Sequence, residues 1–186
     1  YIRYYNNNMG NWLSDFFDWA TGAEEASILI LGLDASGKTT TINRLKTNEN
    51  KVTVPTIGFN VEHLQFGNLS FVAWDIGGQN VIRKLWHNYF ENANAVVFVI
   101  DSSDQKRFNE VRQELKNLTE HRALKLCPFL IFANKQDLPK AADTNTVVNA
   151  LGLYNLMRYR EWKVCESTAT TGNGIHRGFE WLSTQL

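Results

Sequence analysis

The chain has 186 residues, 44% hydrophobic and 20% charged, a balance that suits one globular domain with its own core and excludes a disordered or fibrous chain. Nineteen Lys and Arg offset nineteen Asp and Glu, so the broad positive field of a general nucleic-acid binder is missing and any phosphate contact must be local. No apolar run approaches the roughly 18 to 20 residues of a membrane span, no secretory h-region is visible, and Cys127 and Cys165 lack partners at metal spacing. Both cysteines lie in apolar, strand-like runs and read as buried thiols of a reducing cytosol.

Tyr1 to Asn8 fit no structural pattern and read as sequence upstream of a start at Met9. From Met9 the chain runs Met-Gly-Asn-Trp-Leu-Ser, the M-G-x-x-x-[ST] pattern for myristoylation of Gly10 once the methionine is removed. Residues 9–26 then read as an amphipathic helix. At 100° per residue, Trp12, Leu13, Phe16, Phe17, Trp19 and Ala20 span about 160° of its circumference. Such a face either packs on the domain or lies on a lipid surface. One acyl chain holds a protein at a membrane only marginally, so these aromatics are the candidate second anchor. Asp15, Asp18, Glu24 and Glu25 bring negative charge, and no Lys or Arg occurs between Met9 and Ser27, so attraction to anionic lipid is expected to be weak.

Residues 27–186 read as the main domain. Strand-like runs recur at Ser27 to Leu31, Phe59 to Phe66, Leu69 to Asp75, Ala95 to Asp101, Pro128 to Asn134 and Trp162 to Glu166. Helical patterns occupy Lys38 to Lys46, Gln105 to His121, Asp143 to Leu151 and Gly174 to Leu186. This alternation predicts an α/β domain, a six-stranded, mostly parallel sheet with helices on both faces. Only Gly67-Asn68 separates the second and third runs, which predicts one antiparallel hairpin at the sheet edge.

Chemistry concentrates in the loops after the strands. Gly32-Leu33-Asp34-Ala35-Ser36-Gly37-Lys38-Thr39 satisfies G-x-x-x-x-G-K-[ST] directly after an apolar strand. Such a loop points backbone NH groups at a phosphate, and the following helix N-terminus adds partial positive charge. Asp34, Ala35, Ser36, Gly37, Lys38, Thr39 and Thr40 are therefore the candidate phosphate contacts, with Lys38 reaching the β/γ oxygens and Thr39 ligating Mg²⁺. Asn134-Lys135-Gln136-Asp137, after another strand, selects the base. A carboxylate at Asp137 accepts the N1 and N2 protons that guanine has and adenine lacks. Asn134 would bond guanine N7 and tie the loops together, the Lys135 stem would cover a base face, and the Ala169 NH in Thr168-Ala169-Thr170 would meet O6. Between these motifs lies Asp75-Ile76-Gly77-Gly78-Gln79. There Asp75 would hold a Mg²⁺ water, Gly78 would offer its NH to the γ-phosphate, and Gln79 would orient the attacking water. Thr56 is the candidate to close over the γ-phosphate through its hydroxyl on Mg²⁺.

The combination GLDASGKTT, VPTIGFNVE, WDIGGQ, NKQD and a final WLSTQL resembles the Arf (ADP-ribosylation factor) family of small GTPases, from Met9 onward. The resemblance implies the P-loop small-GTPase fold with an N-terminal amphipathic helix, bound GTP or GDP with Mg²⁺, and GTP hydrolysis that a GTPase-activating protein accelerates. Thr47 to Thr56 contains no Arg to act in cis, so that partner would supply it. The resemblance also implies a face for effectors and a guanine-nucleotide exchange factor at Ile57, Gly58, Phe59, Trp74, Ile82, Leu85, Trp86 and Tyr89. Aromatics at such positions are core residues about as often as docking residues, so the family supplies the choice here. Val81 and Lys84 stand where family members often have Lys and Pro, which leaves the specific partners open. The implied role is a switch that leaves the cytosol in its GTP form for the cytoplasmic face of Golgi or related membranes and recruits coat, tether or lipid-modifying effectors. An Arf-like protein that releases lipidated cargo from soluble carriers is the alternative.

Overall fold

The computed structural model describes residues 26–47, 59–67 and 69–186. Six strands form one sheet: β1 (Ala26–Leu31), β2 (Phe59–Phe66), β3 (Leu69–Ile76), β4 (Ala95–Asp101), β5 (Phe129–Asn134) and β6 (Trp162–Glu166), in the order β2-β3-β1-β4-β5-β6. Every neighbouring pair is parallel except β2 with β3, which pair antiparallel from Phe59 opposite Ile76 to Phe66 opposite Leu69. The helices are α1 (Lys38–Thr47), α2 (Asn80–Arg83), α3 (Phe108–Glu120), α4 (Thr144–Leu151), α5 (Leu153–Leu156) and α6 (Ile175–Ser183).

The central strands read as unbroken apolar runs because both of their faces are covered. Alternate residues of one strand enter different cores. Leu29 and Leu31 of β1, Phe98 and Ile100 of β4, and Phe129 and Ile131 of β5 pack with Phe108, Val111, Leu115 and Leu118 of α3 and with α4. Ile28, Ile30, Val97, Val99, Leu130 and Phe132 face the other way, onto Ile42 of α1 and Ile175, Phe179 and Leu182 of α6. The Phe179 ring stacks on Phe71 at 5.7 Å and lies 6.0 Å from Phe132, which fixes α6 against β3 and β5. Edge strand β2, by contrast, buries only Leu64 fully and leaves Phe59 half exposed.

Some boundaries differ from the sequence expectation. The Gln105 to His121 helix opens as a 3-10 turn over Gln105–Arg107 and becomes α-helical only at Phe108. The last helix is shorter at both ends, Ile175–Ser183. The short pieces α2, α5 and the 3-10 turn Trp86–Tyr89 were not anticipated, since elements of one turn leave no period to read. Cys127 precedes β5 rather than belonging to a strand; its thiol donates to the Ala93 carbonyl at 3.1 Å, and burial pushes its pKa up. Cys165 sits within β6, and both thiols are free and buried.

Candidate nucleotide site

Because β1, β3, β4, β5 and β6 are parallel, their C-terminal ends share one edge of the sheet, where ligands of open α/β sheets bind. The loop after β1 needs backbone conformations that only certain residues tolerate. Gly37 has φ +103°, and a Cβ there would lie 2.3 Å from the Asn134 amide nitrogen, so the loop can close on Asn134 only with glycine. Ala35 adopts φ 58° in the same curl. Lys38 then opens α1 with its side chain folded back across the loop. Its Nζ donates to the carbonyls of Gly32 at 3.1 Å and Leu33 at 2.8 Å, and burial pulls its pKa down to about 8 against the opposing charge of Asp75.

Next to it, the Thr39 hydroxyl donates to Asp75 Oδ2 at 2.6 Å. Asp75 is buried at the end of β3, so a hydroxyl and a carboxylate stand together in the hard oxygen set that Mg²⁺ takes. The Ser36 hydroxyl oxygen is also buried without a hydrogen-bond partner among the described residues, a loop group that fits an incoming phosphate. The turn after β3 presses on this loop. Gly78 accepts a hydrogen bond from the Asp34 NH at 3.1 Å, and a Cβ on Gly78 would lie 2.4 Å from the Asp34 nitrogen. Gln79 follows with an exposed side chain, and its carbonyl accepts from the backbone of Ile82 and Arg83, both at 2.9 Å.

The loop after β5 is wired into its neighbours. Asn134 Nδ2 donates to the Ser36 carbonyl at 2.8 Å, while Oδ1 accepts from the Ala169 NH at 3.0 Å and the Ser167 hydroxyl at 3.2 Å. One side chain thus joins the loops after β1, β5 and β6. The Ala169 NH, expected to meet guanine O6, is engaged by Asn134, and Thr168 is buried beside it. Lys135 adopts φ 64° and its ammonium reaches Asp101 Oδ2 at 2.6 Å. Burial would raise the Asp101 carboxyl, but hydrogen bonds from Lys135 and Ser103 outweigh it and hold the pKa below the ordinary value. Asp137 is exposed at the loop's tip.

Two contributors escaped the sequence reading. Gln136, the variable residue of N-K-x-D, braces the loop from inside: its amide donates to the carbonyls of Ala133 at 3.2 Å and Ala142 at 2.9 Å, and its backbone NH to Ser167 at 3.1 Å. Arg107, at the start of α3, binds Asp34 Oδ1 at 2.8 Å. No local signal links Arg107 to a loop 73 residues earlier.

On the hairpin side, Phe59, Trp74 and Tyr89 form a cluster with ring centroids 5.3 to 6.2 Å apart. Phe59 and Leu85 are about half exposed, and Ile82 is partly buried. Trp86, grouped with this face by the family resemblance, is turned inward. It is 2% exposed, donates its indole NH to the Gly77 carbonyl at 3.2 Å and meets Phe98 edge-on. The four residues Ile82, Leu85, Trp86 and Tyr89 have helical spacing, but α2 stops at Arg83 and the 3-10 turn rotates Trp86 inward. Gly10, Trp12, Leu13, Phe16, Phe17, Trp19, Thr56, Ile57 and Gly58 lie outside the described residues.

The model of the ADP-ribosylation factor family matches residues 13–186. The chain is a member of the ADP-ribosylation factor family. Among solved structures, this Arf-family small GTPase is similar to the Arl6 BBS3 small GTPase from Trypanosoma brucei with bound nucleotide analogue GppNp. The likeness has 36% identity and a TM-score of 0.81, over 87% of this chain and 96% of that one.

Proposed function

We propose that this Arf-family GTPase is a guanine-nucleotide switch whose GTP form attaches to an intracellular membrane and recruits coat, tether or lipid-modifying effectors. The observation that carries the nucleotide half of this reading is the convergence at the sheet edge. There the Thr39–Asp75 pair, the folded Lys38 and the Gly78 turn lie against one loop that Asn134 ties to the base-reading segment.

In this reading Lys38 would exchange two backbone carbonyls for β/γ phosphate oxygens, and Thr39, Thr56 and, through water, Asp75 would hold Mg²⁺. The metal, when bound, neutralises charge that builds on the phosphates during transfer. Gly78 gives up its contact with the phosphate loop and directs its NH toward the terminal phosphate. The exposed Gln79 side chain orients water for in-line attack, and an Arg from a GTPase-activating protein completes the charge stabilisation, worth about 10³ to 10⁵ in rate. Asp137 reads the guanine edge, Lys135 covers its face, and Asn134 and Ala169 set the pocket's depth. Because Gly78 and Gln79 lead directly into α2 and the Phe59–Trp74–Tyr89 cluster, a move of that turn alters the surface offered to an exchange factor or effector.

Gly10 with myristate and the aromatic face of residues 9–26 would supply the two membrane signals. Flotation of the myristoylated chain on anionic liposomes tests this. With a non-hydrolysable GTP analogue the protein should float, with GDP it should stay soluble, and high salt should change little. Replacing Phe16 and Phe17 together by Ala removes roughly 3 to 6 kcal/mol of possible burial and should abolish flotation. Flotation that collapses with salt yet survives that double replacement would reject the helix as second anchor. Absence of flotation together with GTP-dependent binding to a soluble cargo carrier would favour the cargo-releasing alternative.

A further inference from the structure

Asp34 is the only acidic side chain between Gly32 and Thr39, and the fold grips it from two directions. Its backbone NH donates to Gly78, which places it at the Gln79 end of the phosphate loop. Its carboxylate accepts from Arg107 Nη2 at 2.8 Å. Arg107 is itself anchored, since its Nε donates to Glu110 Oε2 at 2.7 Å. The other oxygen of Glu110 accepts from Arg83 Nη2 at 2.6 Å, and Arg83 Nη1 reaches Glu114 Oε1 at 2.6 Å. The Arg83 side chain is 5% exposed, and its backbone NH donates to the carbonyl of Gln79. Charges of alternating sign therefore run from the phosphate loop, across the face of α3, to the turn that carries Gln79.

A carboxylate inside a polyphosphate-binding loop is a liability, because its repulsion grows with each phosphate charge placed nearby. A guanidinium fixed in a fork geometry removes most of that field and also pins the carboxylate. We propose that Arg107 is a positioning residue that holds the Asp34 carboxylate against α3 and cancels its charge, so that the loop accepts a nucleoside triphosphate as readily as a diphosphate. The pair is partly exposed, Arg107 at 30% and Asp34 at 44%, which sets the effect at a modest size. The Arg107 hydrogen bond is also what chiefly draws the Asp34 carboxyl below its ordinary pKa. Arg83, through Glu110, keeps Arg107 in place and ties this neutralisation to the position of the Gln79 turn.

The proposal rests on the guanine-nucleotide reading, and the test separates the two. Affinities for GDP and for a non-hydrolysable GTP analogue are measured on the same protein at fixed salt and Mg²⁺, and their ratio is the readout. Arg107→Gln should weaken the triphosphate relative to the diphosphate by about fivefold. Adding Asp34→Asn to that variant should return the ratio to within about twofold of the parent, because the repulsive charge is gone. A merely structural Arg107 would weaken both nucleotides alike and would not be rescued at Asp34. Arg107→Lys keeps the charge but not the two-armed grip on Asp34 and Glu110, and serves if the Gln variant does not fold; its ratio should shift clearly less than that expected of Arg107→Gln. An unchanged ratio in Arg107→Gln, failure of the rescue, or a fivefold shift in Arg107→Lys overturns the proposal. A parent chain that binds neither nucleotide would instead sink the underlying reading.

Discussion

The two halves of the site are built on opposite plans. At the end assigned to the base, Asn134 and Gln136 make six hydrogen bonds, four to the loops after β1 and β6 and two to Ala133 and Ala142 of their own segment, and none of these is with a group that must later release them for the ligand except the Ala169 NH. At the end assigned to the phosphates, three ligand groups are held by internal contacts, Lys38 by two carbonyls, Thr39 by Asp75 and the Asp34 NH by Gly78, while the buried Ser36 hydroxyl has no hydrogen-bond partner among the described residues. The first half is preorganised, so binding there loses little freedom. The second half must trade internal contacts for ligand contacts, and an element held by exchangeable contacts is what a two-state switch requires.

The largest test acts on the exchangeable half. Gln79→Leu should leave GDP and GTP affinity within a few fold, since the exposed side chain makes no cap hydrogen bond among the described residues. Hydrolysis stimulated by a GTPase-activating partner should fall by about 10³ or more in a single-turnover assay. Stimulated rates within a few fold of the parent would remove Gln79 from the chemistry. On the rigid half, Asp137→Asn should shift preference from guanine to xanthine nucleotides by roughly 10² to 10⁴, because the amide presents the opposite donor and acceptor pattern to the base edge. Thermal stability should hardly move, as Asp137 is exposed. Retained GTP affinity would mean that the base is read elsewhere.

Asn134→Ala has a smaller effect on affinity and a larger one on the fold. It strands the buried Ser36 carbonyl and Ala169 NH, each worth about 1 to 3 kcal/mol, so urea unfolding should show a loss of about 2 to 6 kcal/mol. GDP affinity should drop about ten- to a hundredfold. If affinity falls while stability stays, the loops after β1, β5 and β6 are not held by this residue and the contrast between the two halves fails.

How much of this was legible in the sequence follows the range of each interaction. Strands β4 and β5 are continuous apolar runs, and the loops after β1, β3 and β5 carry motifs whose glycines and polar groups sit a few residues apart, so both could be read directly. The orientation of Trp86 could not. The family resemblance grouped it with Ile82 and Leu85 on a partner face, whereas the end of α2 at Arg83 and the 3-10 turn after it rotate the indole onto Phe98. The Asp34–Arg107–Glu110–Arg83 chain was equally hidden, because it joins three segments through side chains that look like ordinary surface charges in one dimension. Gln136 falls in the position of N-K-x-D that the motif leaves free, yet its amide spans two carbonyls of the same loop.

The finest distinction between the halves is a pH dependence. Lys38 is the only group assigned to the phosphates whose pKa is pulled to about 8, and the cause is burial without enough opposing charge. Its unfolded value is near 10.4, so between about pH 8 and 10 the unfolded chain holds a proton that the free folded chain has released. Stability of the nucleotide-free protein therefore rises with pH across that window as the burial penalty on the ammonium is relieved. With GDP bound, phosphate oxygens face Lys38 and keep it protonated, so the complex gains nothing from the same change. The stabilisation conferred by GDP should consequently narrow above pH 8, by up to about 1.4 kcal/mol per pH unit for one proton. Melting temperatures with and without saturating GDP, taken from pH 7 to 9.5, measure it directly. Contributions from groups that the nucleotide does not touch cancel in the difference between the two forms. A Tm difference that stays constant to pH 9.5 would place Lys38 outside the phosphate contacts and take one exchangeable contact away from that half of the site.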